Sequence, residues 1–253
     1  MKIAVCIKQV PTREWQPRLN EARTWIREAD ASFELNEPDA YALEEALRLK
    51  EKHGGEVVVC AAGPARAATV IREALARGAD RAIHVEDSGL AAADSFVIAE
   101  TLAAAIRDEQ FDLVLTGLQS DDQGHAQTGV VLAERLGIPH ATIIMEVVVQ
   151  EARVRVKREL EGGWFQWLTL PLPALLTIQS GINQLRYATL KGIMAAKKKE
   201  IRRVVPAAPV SARQSIVALY VPERTKRTQM IDGSPSDAAK ELARRLRDEA
   251  RVI

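Results

Sequence analysis

The sequence predicts an α/β protein: a mostly parallel, doubly wound, Rossmann-like sheet with an antiparallel hairpin and an extended C-terminal arm ending in a helix. Three observations predict it. Short apolar runs alternate with stretches of helical spacing from Lys2 to Ile178, which implies right-handed crossovers between parallel strands covered on both faces. A charged, β-capable run, the turn Glu161-Gly162-Gly163 and a return through Trp164, Phe165 and Trp167 together spell a hairpin. Beyond Ile201 the composition shifts, with Pro206, Pro209 and Pro222 among scattered Val and Ile, poor helix material that reads as an arm.

Taken in order, Lys2 to Val10 is an apolar run closed by Pro11 and reads as a first core strand. Trp15 to Phe33 is irregular, and Trp25, Ile26 and Phe33 predict short strands in an edge excursion. Asn36-Glu37-Pro38-Asp39 is a helix start: asparagine caps, proline tolerates the first turn and the carboxylates suit the positive end of the dipole. Leu43, Ala46, Leu47 and Lys50 carry that helix to His53, where Gly54-Gly55 ends it. Glu56 to Ala62 is a strand, Gly63-Pro64 a turn, and an Ala-rich helix runs to Gly78. Arg81 to Val85, Asp94 to Asp108 and Phe111 to Gly117 then read strand, helix, strand. Gln127 to Leu136 is helical, Gly137-Ile138-Pro139 turns, and Ala141 to Val149 is a strand that bends at Met145 into the hairpin. Pro173 to Ile178 is too short and too apolar for a helix and predicts a strand buried on both faces. Ser234-Pro235-Ser236-Asp237 opens a last helix through Arg247.

With 253 residues and 47% hydrophobic content, the chain can bury one substantial core and a smaller appendage. Its net charge of +1 creates no field that would draw it to nucleic acid or an anionic membrane, so neither is an expected partner. No window approaches the roughly twenty apolar residues of a membrane span. Cys6 and Cys60 lie in apolar runs without His or Cys at ligand spacing, which predicts buried, reduced thiols and no metal. A first strand starting at Lys2 leaves no room for a leader, and a prokaryotic cytoplasm is the expected location.

Ligands of open parallel sheets sit at the carboxyl ends of strands near the reversal of strand order, which directs attention to the loops leaving Val10, Ala62 and Gly117. The last, from Gly117 to Gly129, is polar and longer than a minimal connection. Gly124 and Gly129 allow close backbone approach, and Ser120, Gln127 and Thr128 can donate to a phosphate at a helix N-terminus. The same residues equally suit a solvated capping loop, since neither a Walker lysine nor a GxGxxG motif is present. No activated nucleophile is visible, so a stand-alone enzyme is not expected.

Val156, Arg158, Glu161-Gly162-Gly163, Gln166, Leu168, Pro173 and Leu175-Leu176-Thr177, followed by RYATLKGIMAAKKKEI from Arg186 to Ile201, resemble the signature of the electron transfer flavoprotein beta subunit. The resemblance implies half of a heterodimer. Its alpha partner holds the redox FAD, takes electrons from acyl-CoA or related dehydrogenases and passes them to a membrane quinone oxidoreductase. It implies AMP on the long loop, matched through Gly117, Gln119, Asp122, Gln127, Thr128 and Gly129, with Ser120, Asp121, Gln123, Gly124, His125 and Ala126 in the same segment. Further family contacts fall on Cys6, on Asn36, Glu37, Pro38 and Asp39, and on Ala62. Gly124 stands where the family commonly has an acidic residue, and Ala126 where it has asparagine. Members that bifurcate electrons hold a second FAD in this pocket, so AMP and FAD both stay open.

By the same resemblance Arg186, Tyr187, Ala188, Thr189, Leu190, Lys191, Gly192, Ile193 and Met194 form a loop that docks dehydrogenases, with Leu190 as its apolar anchor. Leu185 replaces a usual proline and predicts a less rigid lead-in, while Lys197 to Lys199 reads as a solvated run. The expected division is a nucleotide-binding domain over 1–182, a recognition loop over 183–200, and an arm and helix over 201–253 that clasp the alpha subunit. The competing class is a nucleotide sensor or hydrolase that acts alone.

Overall fold

The structure is a computed structural model describing residues 1–206, 209–222 and 228–253; two units are distinguished, Met1–Leu219 and Tyr220–Ile253. In chain order the first unit holds β1 (Lys2–Cys6), β2 (Gln9–Pro11), β3 (Phe33–Leu35), α1 (Glu37–His53), β4 (Glu56–Gly63), α2 (Ala68–Arg77), β5 (Arg81–Glu86) and α3 (Ser95–Ile106). It continues with β6 (Leu113–Gly117), α4 (Thr128–Leu136), β7 (His140–Gln150), β8 (Arg153–Glu159), β9 (Phe165–Pro171), β10 (Ala174–Ile178), α5 (Leu190–Ala196) and β11 (Ile201–Val204). The second unit holds α6 (Pro235–Asp248), whose N-cap Ser234 accepts from the Asp237 amide.

The main sheet runs β11-β5-β4-β1-β6-β10-β7-β8-β9, parallel up to β7 and antiparallel through the last two strands. The period of two along a strand sends Ile3 and Val5 to one face and Ala4 and Cys6 to the other. On the first face Leu43 and Leu47 of α1 and Ile71 and Leu75 of α2 close over the strands. Leu102 and Ile106 of α3 and Leu132 of α4 close over the second. Both faces are therefore covered, as the doubly wound reading expects. Among the described residues no helix is long and apolar enough to cross a membrane.

Several elements differ from expectation. The first apolar run is two strands, because the chain leaves the sheet after Cys6 and Gln9–Pro11 pairs instead with Phe33–Leu35 as a separate antiparallel ribbon. The excursion before Phe33 holds one Leu19–Ile26 bridge and a short turn of helix at Glu28–Asp30. Phe111 precedes its strand, which starts at Leu113. The bend at Met145 is a register shift between Ile144 and Glu146, where β7 changes from pairing β10 to pairing β8. Ile201–Val204, placed by its sequence at the start of the arm, adds to the sheet edge beside β5. Four alternating residues gave too little pattern to see this. Of the expected arm, 207, 208 and 223–227 lie outside the described residues.

Candidate functional site

Strand order reverses at β1, which pairs with β4 on one side and β6 on the other. At the carboxyl ends of these strands lies an open cleft of about 770 Å³, its mouth included. Its apolar wall is formed by Cys6, Ile7, Ala62, Leu90, Ile98 and Leu102, and its polar side by the loop after β6.

Asp39, at the start of α1, ties the cleft floor together. One carboxylate oxygen accepts from the Lys8 amide at 2.7 Å, and the other from the Gly117 amide at 2.9 Å. Burial pushes its carboxyl up to about 7, against these donors. Gly117 has no alternative here, because a Cβ would stand 2.4 Å from an Asp39 oxygen and 2.7 Å from the Asp39 nitrogen. Gly129 is equally fixed: its Cβ would meet Thr116 Oγ1 and Thr177 Cγ2 at 2.7 Å. Gly129 lines the cleft, and helix-on-strand packing requires a glycine there as well.

Asn36 does not cap α1 with its side chain. It donates to the Gln119 carbonyl and accepts from the Asp121 amide, both at 3.0 Å, and so fixes the long loop against the helix start. Lys8 Nζ fastens the same loop through Asp122 (2.7 Å), Gln123 (2.9 Å) and Ser120 (3.3 Å). Arg13 bridges Glu37 and Asp121 at the rim. Gly124 and Ala126 both adopt left-handed φ, +63° and +53°. Gln127 offers α4 no side-chain cap, so the first amides of α4 are left without intrahelical partners beside the cleft.

The structure therefore gathers most of the expected site. Cys6, Asn36, Asp39, Ala62 and Gly117 line the cleft, as do Gln119, Ser120, Gln123, His125, Ala126, Gln127 and Thr128. Glu37, Pro38, Asp121, Asp122 and Gly124 do not line it. Their side chains or backbone brace the rim and loop instead. Sequence reasoning missed Lys8, Thr116, Leu118 and the wall made by Leu90, Ala93, Ser95 and Ile98. The signal for that wall was the loop leaving β5, whose Asp94 caps α3 through the Val97 amide at 2.8 Å. Both cysteines are free and buried; burial raises Cys6 well above the usual thiol range and Cys60 to about 12. Among the described residues no three His, Cys, Asp or Glu side chains gather as a metal site.

A family profile, that of the electron transfer flavoprotein domain, matches residues 24–209. The electron transfer flavoprotein subunit beta of Methylophilus methylotrophus is 38% identical over 96% of both chains. The chain belongs to the electron transfer flavoprotein family, on its beta-subunit branch. Within it, the mitochondrial subunit beta of Oryza sativa subsp. japonica is 37% identical over the whole of both chains. The caffeyl-CoA reductase-Etf complex subunit CarD of Acetobacterium woodii is 38% identical over 79% of this chain and 77% of its own.

On this electron transfer flavoprotein chain the expected docking segment divides in two. Arg186 points inward, held by Glu44 and Glu51 of α1. Leu185 and Ala188 pack against the core, so the lead-in is held rather than loose. Thr189 caps α5 by accepting from the Gly192 amide, and Gly192 abuts the Ala76 carbonyl of α2, where an added Cβ would stand at 2.2 Å. Tyr187, Leu190, Ile193 and Met194 are left facing solvent, Leu190 at 84% exposure, with Lys191 also exposed. The lysine run is not uniformly solvated: Lys199 Nζ bonds the Leu75 and Ala79 carbonyls and closes the end of α2.

Proposed function

We propose that this chain is the beta subunit of a heterodimeric electron transfer flavoprotein, holding AMP as a structural ligand in the cleft between β1 and β6. It docks dehydrogenases through α5, so that electrons pass through the FAD of the alpha partner to a quinone oxidoreductase. One observation carries the nucleotide: the uncapped N-terminus of α4 lies at the cleft beside an apolar wall. Free helix amides and the hydroxyls of Ser120 and Thr128 suit a phosphate, and Ile98 and Leu90 suit a purine face. AMP fits this donor set because Lys8 supplies the only lysine charge among the cleft-lining residues and is held by the loop. The flavin carries the redox chemistry, while this chain positions the loop, excludes water from the nucleotide and presents Leu190 to a partner.

A second reading puts a second FAD in the same cleft, as in bifurcating members. It is favoured by a smaller adjoining cavity that shares Lys8, Ala62 and Leu90 with the main cleft and extends toward Trp25, Phe33 and Arg66. Acid extraction of the purified heterodimer separates the readings. One flavin with one AMP per dimer supports the first, and two flavins without AMP support the second. A stable single chain that exchanges nucleotide and takes up no flavin-bearing partner overturns both.

A further inference from the structure

The apolar wall of the cleft is not backed by the main core alone. Val85, Leu90 and Val97 are buried in a third, small cluster, and Ala62, Ala93 and Ile98 pack against it. Leu90, Ala62, Ala93 and Ile98 also line the cleft. Two further side chains close on this cluster, Val204 of β11 and Val210 of the arm. A satellite cluster with so few buried members keeps its shape only while each piece of its cover stays in place.

Asp94 ties the arm to this place. It is 8% exposed and precedes α3, whose Val97 amide donates to one of its carboxylate oxygens at 2.8 Å. The other oxygen accepts from two arm amides, Arg213 at 2.6 Å and Gln214 at 2.8 Å. Burial alone would raise the Asp94 pKa; the bonds from Val97, Arg213 and Gln214 overcome that and hold it below the usual carboxylate range. One carboxylate thus serves two elements, the N-terminus of α3 and the arm just past Val210. The Arg213 guanidinium lies over the Phe96 ring at 5.0 Å, and the Leu219 amide donates to the Arg23 carbonyl at 2.6 Å. The stretch 209–219 has no helix or strand of its own, so these contacts are what seat it.

We propose that Asp94 is a positioning residue for the nucleotide cleft: by holding the arm at Arg213 and Gln214 it seats Val210 against the cluster that forms the apolar wall, and the seated arm sets how long a nucleotide stays bound. The inference rests on the reading of this cleft as a nucleotide site. A carboxylate suits the task because a serine could cap α3 as well but offers a single oxygen. Two arm amides beyond the cap need the second one. When the arm lifts, Val210 leaves the cluster, Leu90 and Ile98 lose packing, and the wall loosens on its nucleotide side.

Two substitutions in the purified heterodimer approach the same contact from opposite sides. Asp94→Ser keeps an oxygen for the Val97 amide and removes the one that holds the arm. Val210→Asp brings a charge to the cluster from the arm and leaves α3 and its cap untouched. Release of the nucleotide that acid extraction identifies, AMP or a second flavin, should be at least about tenfold faster in both. Amides of 93–98 and 209–219 should exchange hydrogen faster in both, while those of β6 and β10 keep the wild-type rate, a local loosening that a general loss of stability would not produce. Val217→Ser, at a side chain 88% exposed, is the control and should release nucleotide at the wild-type rate. Release that ignores both substitutions overturns the positioning role and leaves the proposed function standing. Faster release from Asp94→Ser alone assigns the effect to the cap of α3 and also overturns the arm's part. A wild-type heterodimer whose extract holds one flavin and no AMP overturns the functional reading and this inference together.

Discussion

The guanidinium of Arg186 grips the carboxylate of Glu44 through two nitrogens, at 2.7 and 3.0 Å, and the Arg186 amide adds a third bond to the same group. Glu44 is 4% exposed on α1. Burial would raise its pKa, but the bonds from Arg186 and Arg48 outweigh that and hold it below the usual carboxylate range. The segment that carries the exposed apolar cluster is therefore riveted to α1 at its first residue.

Arg186→Ala should cost about 1.5–3 kcal/mol of unfolding free energy, the range for hydrogen bonds to charged groups, moderated because Arg48 still bonds Glu44. Arg186→Lys should recover only part, since an ammonium cannot grip both carboxylate oxygens in the same fork. Denaturant titration of the three proteins checks the order.

Leu190→Ala should do the reverse. Its side chain is exposed, so stability should change by less than about 0.5 kcal/mol. If Leu190 enters an apolar pocket on a dehydrogenase, apparent affinity for that partner should fall roughly tenfold or more, from about 1.5–3 kcal/mol of lost burial. Flavin and AMP content should be unchanged. Steady-state transfer with an unaltered apparent KM for the dehydrogenase would remove α5 from the docking surface.

Ala126 holds a left-handed φ of +53°, a conformation that costs an ordinary residue energy and that asparagine and glycine accept. The asparagine common in the family at this place thus has a backbone reason apart from any ligand contact. Ala126→Asn should raise stability by about 0.5–1 kcal/mol and slow hydrogen exchange in the loop from Gly117 to Gly129. A drop in stability would show that the cleft, not the backbone, selects the residue.

Glu109 sits where Lys2, Arg81 and Arg202 converge, at 2.9, 2.7 and 2.8 Å. Burial alone would raise its pKa; bonds from Arg81 and Lys2 overcome this and lower it to about 2. A depressed carboxylate pKa contributes stability that is present above about 4.5 and lost as pH falls toward about 2. The gap in stability between the wild type and Glu109→Gln should be widest near neutrality, about 2–3 kcal/mol, and close between pH 4.5 and 2. Thermal unfolding of both across that window checks the sign.

Much of the fold was legible because its signals are local. Runs such as Glu56–Gly63 and Ala174–Ile178 are short, continuous and apolar between Gly or Pro turn signals, which suits a strand buried on both faces. Gly54, Gly78 and Gly137 end their helices where the sequence places them. β11 was not legible, because IRRV alternates as an exposed arm would and only its pairing with β5 makes it a strand. At the site, the loop after β6 was found by its length and polarity. Lys8 was missed because a lone lysine after a strand carries no pattern.

By itself the sequence determined the alternation of the main strands and helices from β4 to β10, the hairpin turn, the long loop after β6 and the family signature, but not the split between β1 and β2, the helix α5 within the expected recognition loop, or β11. What it determined depends on residues close together in the chain. Tertiary structure alone decided that Asn36 and Lys8 fasten that loop from positions 83 and 114 residues away from Gln119 and Asp122, and that Gly117 and Gly129 are fixed by packing. It also decided that Arg186 turns inward while Leu190 turns outward. The reason is physical: periodicity and turn chemistry act over a few residues, whereas burial, ion pairing and close approach are set by whatever the crossovers bring alongside.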